Sequence, residues 1–214
     1  MPVFGRGRYN RGIRVNKETE LNRYNPKVKS YRERHPWHKN RSTLNQVETF
    51  LGFSISDFIS KRSKLLRRPI VVLDWGCGNG RALRDIARKF KQNVKLYGFS
   101  KDSFSDWNRS KNQITFIQET SENTTRFFSK VSVDLIYSHY GLNHLYEQPK
   151  FEKFAGDLIE RLSVGGVLVF NAMDYERDSR GDVILDKING ELGKRKISVK
   201  LKTTKDSLFF ERVT

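Results

Sequence analysis

Ile70-Val71-Val72-Leu73-Asp74-Trp75-Gly76-Cys77-Gly78-Asn79-Gly80 is the stretch that decides the fold. It opens with four apolar, mostly β-branched residues and runs into an acid followed by three alternating glycines. Directly after it, Leu83, Ile86, Ala87 and Phe90 recur at three- and four-residue spacing. A β-branched apolar run favours a buried strand and the three-four spacing favours a helix, so the segment reads strand, turn, helix. In such a turn, glycines bend the chain and bring backbone close to a ligand without a Cβ clash, and the amides opening the helix favour an anionic group. A dinucleotide fingerprint requires a further glycine at position 81, where Arg81 stands, and this weakens the nicotinamide and flavin readings.

Working outward, the alternation of strand and helix continues. Strands are expected at 95–99, 114–118, 135–138 and 167–171, with helices at 103–108 and 150–162. Strands separated by helices need crossover connections, which makes the sheet mostly parallel. The final runs, 197–203 and 207–213, are joined by a few residues including Lys205 and Asp206, a spacing that allows only an antiparallel hairpin. Upstream, Leu44, Val47, Leu51, Ile55, Phe58 and Ile59 predict helical segments between residues 42 and 66, broken near Gly52. Ser42 or Thr43 is placed to cap the first, and Pro69 stops the stretch.

The ordered segments from Val72 onward resemble the class I S-adenosylmethionine-dependent methyltransferases, whose first motif is an acid followed by alternating glycines at this spacing. The resemblance continues through Tyr97-Gly98-Phe99, Phe116-Ile117-Gln118, Val133-Asp134-Leu135-Ile136-Tyr137-Ser138, Gly141-Leu142-Asn143-His144-Leu145 and Leu162-Ser163-Val164-Gly165-Gly166-Val167-Leu168-Val169-Phe170. It covers about residues 69–214 and implies an α/β fold: a Rossmann-like, seven-stranded, mostly parallel sheet ending in an antiparallel hairpin. The activity it implies is methyl transfer from S-adenosylmethionine. No metal is implied. Cofactor-binding residues implied by the match are Asp74, Gly76, Cys77, Gly78 and Gly80 in the turn, with Ser138 at the end of the fourth strand.

Two positions depart from the family. The acid that holds both ribose hydroxyls at the end of the second strand aligns with Ser100, which cannot supply a charged bidentate acceptor, and Asp102 lies two residues beyond. The residue that reads the adenine amino group after the third strand aligns with Thr120, with Glu119, Ser121 and Glu122 beside it. On the acceptor side the resemblance points to Ser138, His139 and Tyr140 as the catalytic candidates. His139 is a group able to take a proton near neutral pH, while packing around the cofactor is the competing role for His139, Tyr140 and His144.

Absent motifs narrow the chemistry. No Asn or Asp followed by two prolines and an aromatic ends the fourth strand, as amino-group methyltransferases of that signature require. The single cysteine, Cys77, lies inside the first motif, which argues against the covalent cytosine-C5 route and against a disulfide framework. No acid accompanies Ser138, as ribose 2′-hydroxyl enzymes of the Lys-Asp-Lys-Glu type need.

The chain has 214 residues and a formal net charge of +17. Residues 1–70 hold 17 Lys and Arg against 5 Asp and Glu, so most of the excess lies in the first third. The expected organisation is a basic irregular extension at 1–42, a helical segment at 43–68 and the methyltransferase-like domain at 69–214. Tyr9, Tyr24, Tyr31 and Trp37 are interleaved with Lys and Arg, a composition suited to stacking on unpaired bases while neutralising phosphates. RNA or another polyanion is therefore an expected partner through residues 1–68; a lid over the domain and a solvated tail are the competing readings. Met1 to Arg14 carry four arginines and no apolar core of signal-peptide length, and no stretch reaches transmembrane length. The expectation is a soluble, cytoplasmic protein with no membrane partner. Three function classes stand: a methyltransferase acting on RNA, one acting on a small molecule, and a catalytically silent binding module that keeps the fold.

Overall fold

The computed structural model describes residues 43–120, 123, 126–139, 141–142, 145, 151–171, 180–204 and 207–214. The extension 1–42, Ser121, Glu122, Tyr140, His144, Lys205 and Asp206 lie outside the described residues.

The element order is α1 (Leu44–Leu51), α2 (Ile55–Leu66), β1 (Ile70–Trp75), α3 (Arg81–Phe90), β2 (Val94–Ser100), β3 (Ile114–Gln118), β4 (Val133–Ser138), α4 (Phe151–Arg161), β5 (Leu162–Asn171), α5 (Arg180–Lys194), β6 (Val199–Thr204) and β7 (Ser207–Arg212). The seven strands form one sheet in the order β3-β2-β1-β4-β5-β7-β6. Strands β1 to β5 are parallel, β7 runs antiparallel to β5, and β6 closes the hairpin on β7. The order reverses between β2–β1 and β4, and a crevice for ligands opens beyond the carboxyl ends of strands at such a switch point.

Two apolar layers cover the sheet. Ile70 and Val72 face α1, α2 and α3 together with Leu135, Tyr137 and Val169, whereas Leu73 and Trp75 face α4 and α5 with Ile136, Leu168 and Phe170. This period-two alternation is what a strand buried on both faces requires. Helix α1 starts with a capping box between Thr43 and Gln46 and ends at Gly52, whose φ of 58° supplies the left-handed cap. Ser54 caps α2 through the Asp57 amide. The expected break at Gly52 is therefore present, with a separate cap for each helix.

Two elements differ from expectation. The helix expected at 103–108 is a short 3-10 turn, Ser105–Arg109, held by Trp107, which stacks on Phe116 at 4.7 Å and donates its indole N–H to the Gly78 carbonyl at 2.8 Å. Helix α5 was not expected. Its buried positions Ile188 and Leu192 have helical spacing, but Gly190 and Gly193 interrupt the pattern.

At the amino-terminal edge of β4, Asp134 is fully buried. It accepts from Arg68 Nη1 and Nη2 at 2.7 and 2.8 Å, from the Val71 amide at 3.0 Å and from Ser163 Oγ at 2.6 Å. Burial alone pushes this carboxyl up, but hydrogen bonds from Arg68, Ser163 and the Val71 amide outweigh it and hold the group below the usual carboxylate range. A depressed carboxyl contributes stability at pH above its unfolded value of about 4 and loses it as pH falls through the folded value. Asp134→Asn is expected to cost about 2–4 kcal/mol near neutral pH, read as a lower denaturation midpoint, with the gap to wild type narrowing as pH drops below about 4.

Candidate functional site

The turn after β1 is built by its glycines. Gly76, Gly78 and Gly80 all have positive φ, at 89°, 52° and 76°. The amides of Gly76 and Cys77 both donate to the Phe99 carbonyl at 2.9 Å, which ties the turn to the end of β2. A Cβ on Gly76 would lie 2.9 Å from the Gly141 Cα, and one on Gly141 would lie 2.5 Å from the Trp75 carbonyl oxygen. Neither position has room for a side chain, so the turn after β1 and the loop after β4 meet backbone to backbone. At Gly78 the reverse holds: a Cβ there would meet nothing within 4 Å. The centre of the turn thus faces open space while its two ends are packed tight.

Asp74 sits directly before this turn, 5% exposed. In the parallel register of β1 and β4 its partner is Tyr137, and the Tyr137 hydroxyl donates to Asp74 Oδ2 at 2.9 Å. Among the described residues no other donor reaches the carboxylate. Burial pushes Asp74 up to about 7, and the Tyr137 hydrogen bond only partly counters it. A buried carboxylate with a single neutral donor is an incomplete arrangement, and such groups concentrate where a ligand supplies the missing partner. Cys77 packs inward against Gly98, and burial together with the Asp74 charge pushes its thiol well up, so it is not a nucleophile near neutral pH.

The other residues named from the sequence fall at the carboxyl ends of the parallel strands. Ser138 is fully buried and its Oγ accepts from the Leu142 amide at 2.9 Å, which closes the loop after β4. His139 follows it and stacks on Phe50 of α1 with ring centroids 5.1 Å apart. Ser100 ends β2; its Oγ accepts from the Asp102 amide at 3.3 Å and its carbonyl from the Glu119 amide at 3.2 Å, joining the loops after β2 and β3. Thr120 is exposed, and Asn123 Nδ2 donates to Glu119 Oε2 at 3.1 Å. Tyr140 and Ser121 lie outside the described residues.

Sequence reading missed Tyr137, Phe50, Trp107 and Asn123 as parts of this site. Tyr137 carried a signal: it is the polar-tipped residue of a buried strand that pairs with the strand ending in Asp74. Phe50 carried none, because its position on an amphipathic helix does not show which loop that helix covers.

Residues 72–166 match the family described as "Methyltransferase domain". Among solved structures, the chain is similar to a 1,6-didemethyltoxoflavin-N1-methyltransferase from Burkholderia thailandensis, with 15% identity, 83% of this chain and 84% of that chain covered, and a TM-score of 0.50. It is also similar to the bifunctional kinase-methyltransferase WbdD, with 14% identity, coverage of 83% and 42%, and a TM-score of 0.56, so it spans less than half of that protein. A TehB-like methyltransferase from Corynebacterium glutamicum gives 16% identity, coverage of 83% and 100%, and a TM-score of 0.49. At these identities the first two likenesses speak for the fold alone. No curated protein sequence matches the chain. The family match over residues 72–166, laid over this strand order and this glycine turn, gives the chain a Rossmann-like methyltransferase fold with a methyltransferase-domain match through its centre.

Proposed function

We propose that the chain is an active methyltransferase whose acceptor is RNA or another polyanion. The observation that carries the catalytic half is the buried, one-donor carboxylate of Asp74 beside the open centre of the turn at Gly78. S-adenosylmethionine, when bound, supplies a methyl group already activated on a sulfonium. The residues present fit it: Asp74 offers a carboxylate to the ammonium of the methionyl end, and Gly78 leaves the space that a side chain would fill. In this reading Asp102 takes the ribose-binding part that Ser100 lacks the charge to perform, and Glu119 and Thr120 lie on the adenine side.

Displacement at an activated carbon needs an aligned and partly desolvated acceptor more than it needs acid–base help. Ser138 serves this alignment by holding the loop after β4 through the Leu142 amide. His139, set by its stack on Phe50, is assigned to receive the acceptor's proton where the acceptor carries one, and Tyr140 to contact the acceptor. The basic half of the proposal rests on charge. Lys61, Lys64 and Arg67 are exposed at the end of α2, whereas Arg62 and Arg68 are drawn onto Asp134. The first three, with the basic residues of the extension before them, are the cations assigned to phosphates in this reading.

Two measurements test this reading. Gly78→Val is expected to lose some stability, because a β-branched residue is strained at a φ of 52°, and to weaken S-adenosylmethionine binding at least ten-fold by calorimetry, about 1.4 kcal/mol, while Gly141→Ala is expected to lose stability through its clash with the Trp75 carbonyl. Full-strength binding by a folded Gly78→Val protein would place the cofactor elsewhere, and no binding by wild type would favour the silent-module reading raised by Ser100 and Thr120. Replacing Lys61, Lys64 and Arg67 with alanine is expected to reduce the slope of log affinity for single-stranded RNA against log salt by about 2, at roughly 0.7 per phosphate contact, with cofactor binding unchanged. An unchanged slope takes α2 out of the phosphate-binding surface, and a slope unchanged also on removal of residues 1–42 rejects the polyanion half and leaves a small-molecule acceptor.

A further inference from the structure

The parallel register that pairs Asp74 with Tyr137 puts both side chains on the face of the sheet covered by α1, α2 and α3. Tyr137 is fully buried, and its hydroxyl is the one donor reaching the carboxylate among the described residues. A tyrosine ring in an apolar layer does not by itself need a carboxylate. Phenylalanine fills the same volume, so the hydroxyl is present for the hydrogen bond it makes.

The structure assigns Tyr137 as the positioning residue of the cofactor site: its hydroxyl holds one oxygen of Asp74 and leaves the other to a cationic group of the ligand. This rests on the reading that Asp74 meets the cofactor's ammonium. Among the described residues, the titratable and charged groups that act on the pair or on its neighbour Cys77 are Cys77 itself in the turn and Arg84 and Asp85 on α3. Cys77 and Tyr137 are both pushed well up, by burial first and by the Asp74 charge next, and stay neutral near pH 7. Asp74 is therefore the member of the pair that changes charge in the neutral range.

The sign follows from this. Burial raises Asp74 to about 7, so below that pH the carboxyl is protonated and offers nothing to an ammonium, while above it the charge is present. Affinity for a ligand with an ammonium falls as pH drops through the midpoint. The Tyr137 hydrogen bond favours the charged form, and removing it moves the midpoint upward. Losing one hydrogen bond to a charged group displaces such a midpoint by about 1 on the pH scale.

The test is calorimetric binding of S-adenosylhomocysteine to the full chain between about pH 5.5 and 8.5, with 5′-methylthioadenosine, which lacks the amino-acid end, as the control ligand. For wild type, S-adenosylhomocysteine affinity is expected to fall about ten-fold for each whole step in pH below the midpoint, with methylthioadenosine nearly flat. For Tyr137→Phe the midpoint is expected to rise by about 1 in pH, which weakens binding about five-fold at pH 7 and leaves methylthioadenosine unchanged. A folded Tyr137→Phe protein with the wild-type midpoint overturns the assignment while leaving the Asp74 reading intact. Flat S-adenosylhomocysteine affinity in wild type overturns the Asp74 reading and the assignment with it. Where Tyr137→Phe does not fold, 3-fluorotyrosine at position 137, a stronger donor of nearly the same shape, is expected to move the midpoint down, and no movement overturns the assignment.

Discussion

Asp134 is the fixed point from which the rest of the molecule is arranged. Its carboxylate is fully buried at the amino-terminal edge of the sheet and is met by a two-pronged guanidinium, a strand amide and a serine hydroxyl. Those donors come from the end of α2, from β1 and from β5, so one charge joins the helical segment to the central strands. Breaking such a set is expensive because it leaves the remaining charge without a partner. Arg62 adds to it by reaching Ser163 and the Val164 carbonyl, and a side chain on Gly165 would press against that guanidinium. The strands are pinned at this end by buried charge.

At the opposite edge the same strands end in glycines and loops rather than in charge pairs. Gly76 against Gly141 brings the turn after β1 onto the loop after β4, Ser138 holds that loop through the Leu142 amide, and Ser100 joins the loops after β2 and β3. A site so built is rigid in its backbone and open at Gly78. Among the described residues, Asp74 is the buried carboxylate at this edge and has one neutral donor where Asp134 has four hydrogen bonds. That contrast separates an acid that stabilises the fold from one that waits for a ligand.

Much of this was legible in the residues themselves. The run from Ile70 to Phe90 reads as strand, turn and helix because a continuous β-branched apolar run gives way, across three glycines, to three- and four-residue apolar spacing. The parallel sheet and the terminal hairpin followed from the spacing of later runs. What stayed hidden has physical reasons. Helix α5 was masked by Gly190 and Gly193, and tertiary packing overrides their low propensity through buried Ile188 and Leu192. The helix expected at 103–108 contracts because Trp107 is taken up by Phe116 and the Gly78 carbonyl. Tyr137 reads as core from its alternation, and only strand register shows that its hydroxyl meets Asp74. Phe50 reaches His139 through the packing of α1, which no local pattern encodes.

The account depends on where the cofactor sits, and the most direct measurement is a crystal structure of the full chain with S-adenosylhomocysteine. The expected result is a ligand whose ammonium contacts Asp74, whose path crosses Gly78, and whose ribose lies toward Ser100 and Asp102. A ligand bound away from the 74–80 turn, or turned so that Asp74 has no cationic partner, would contradict it.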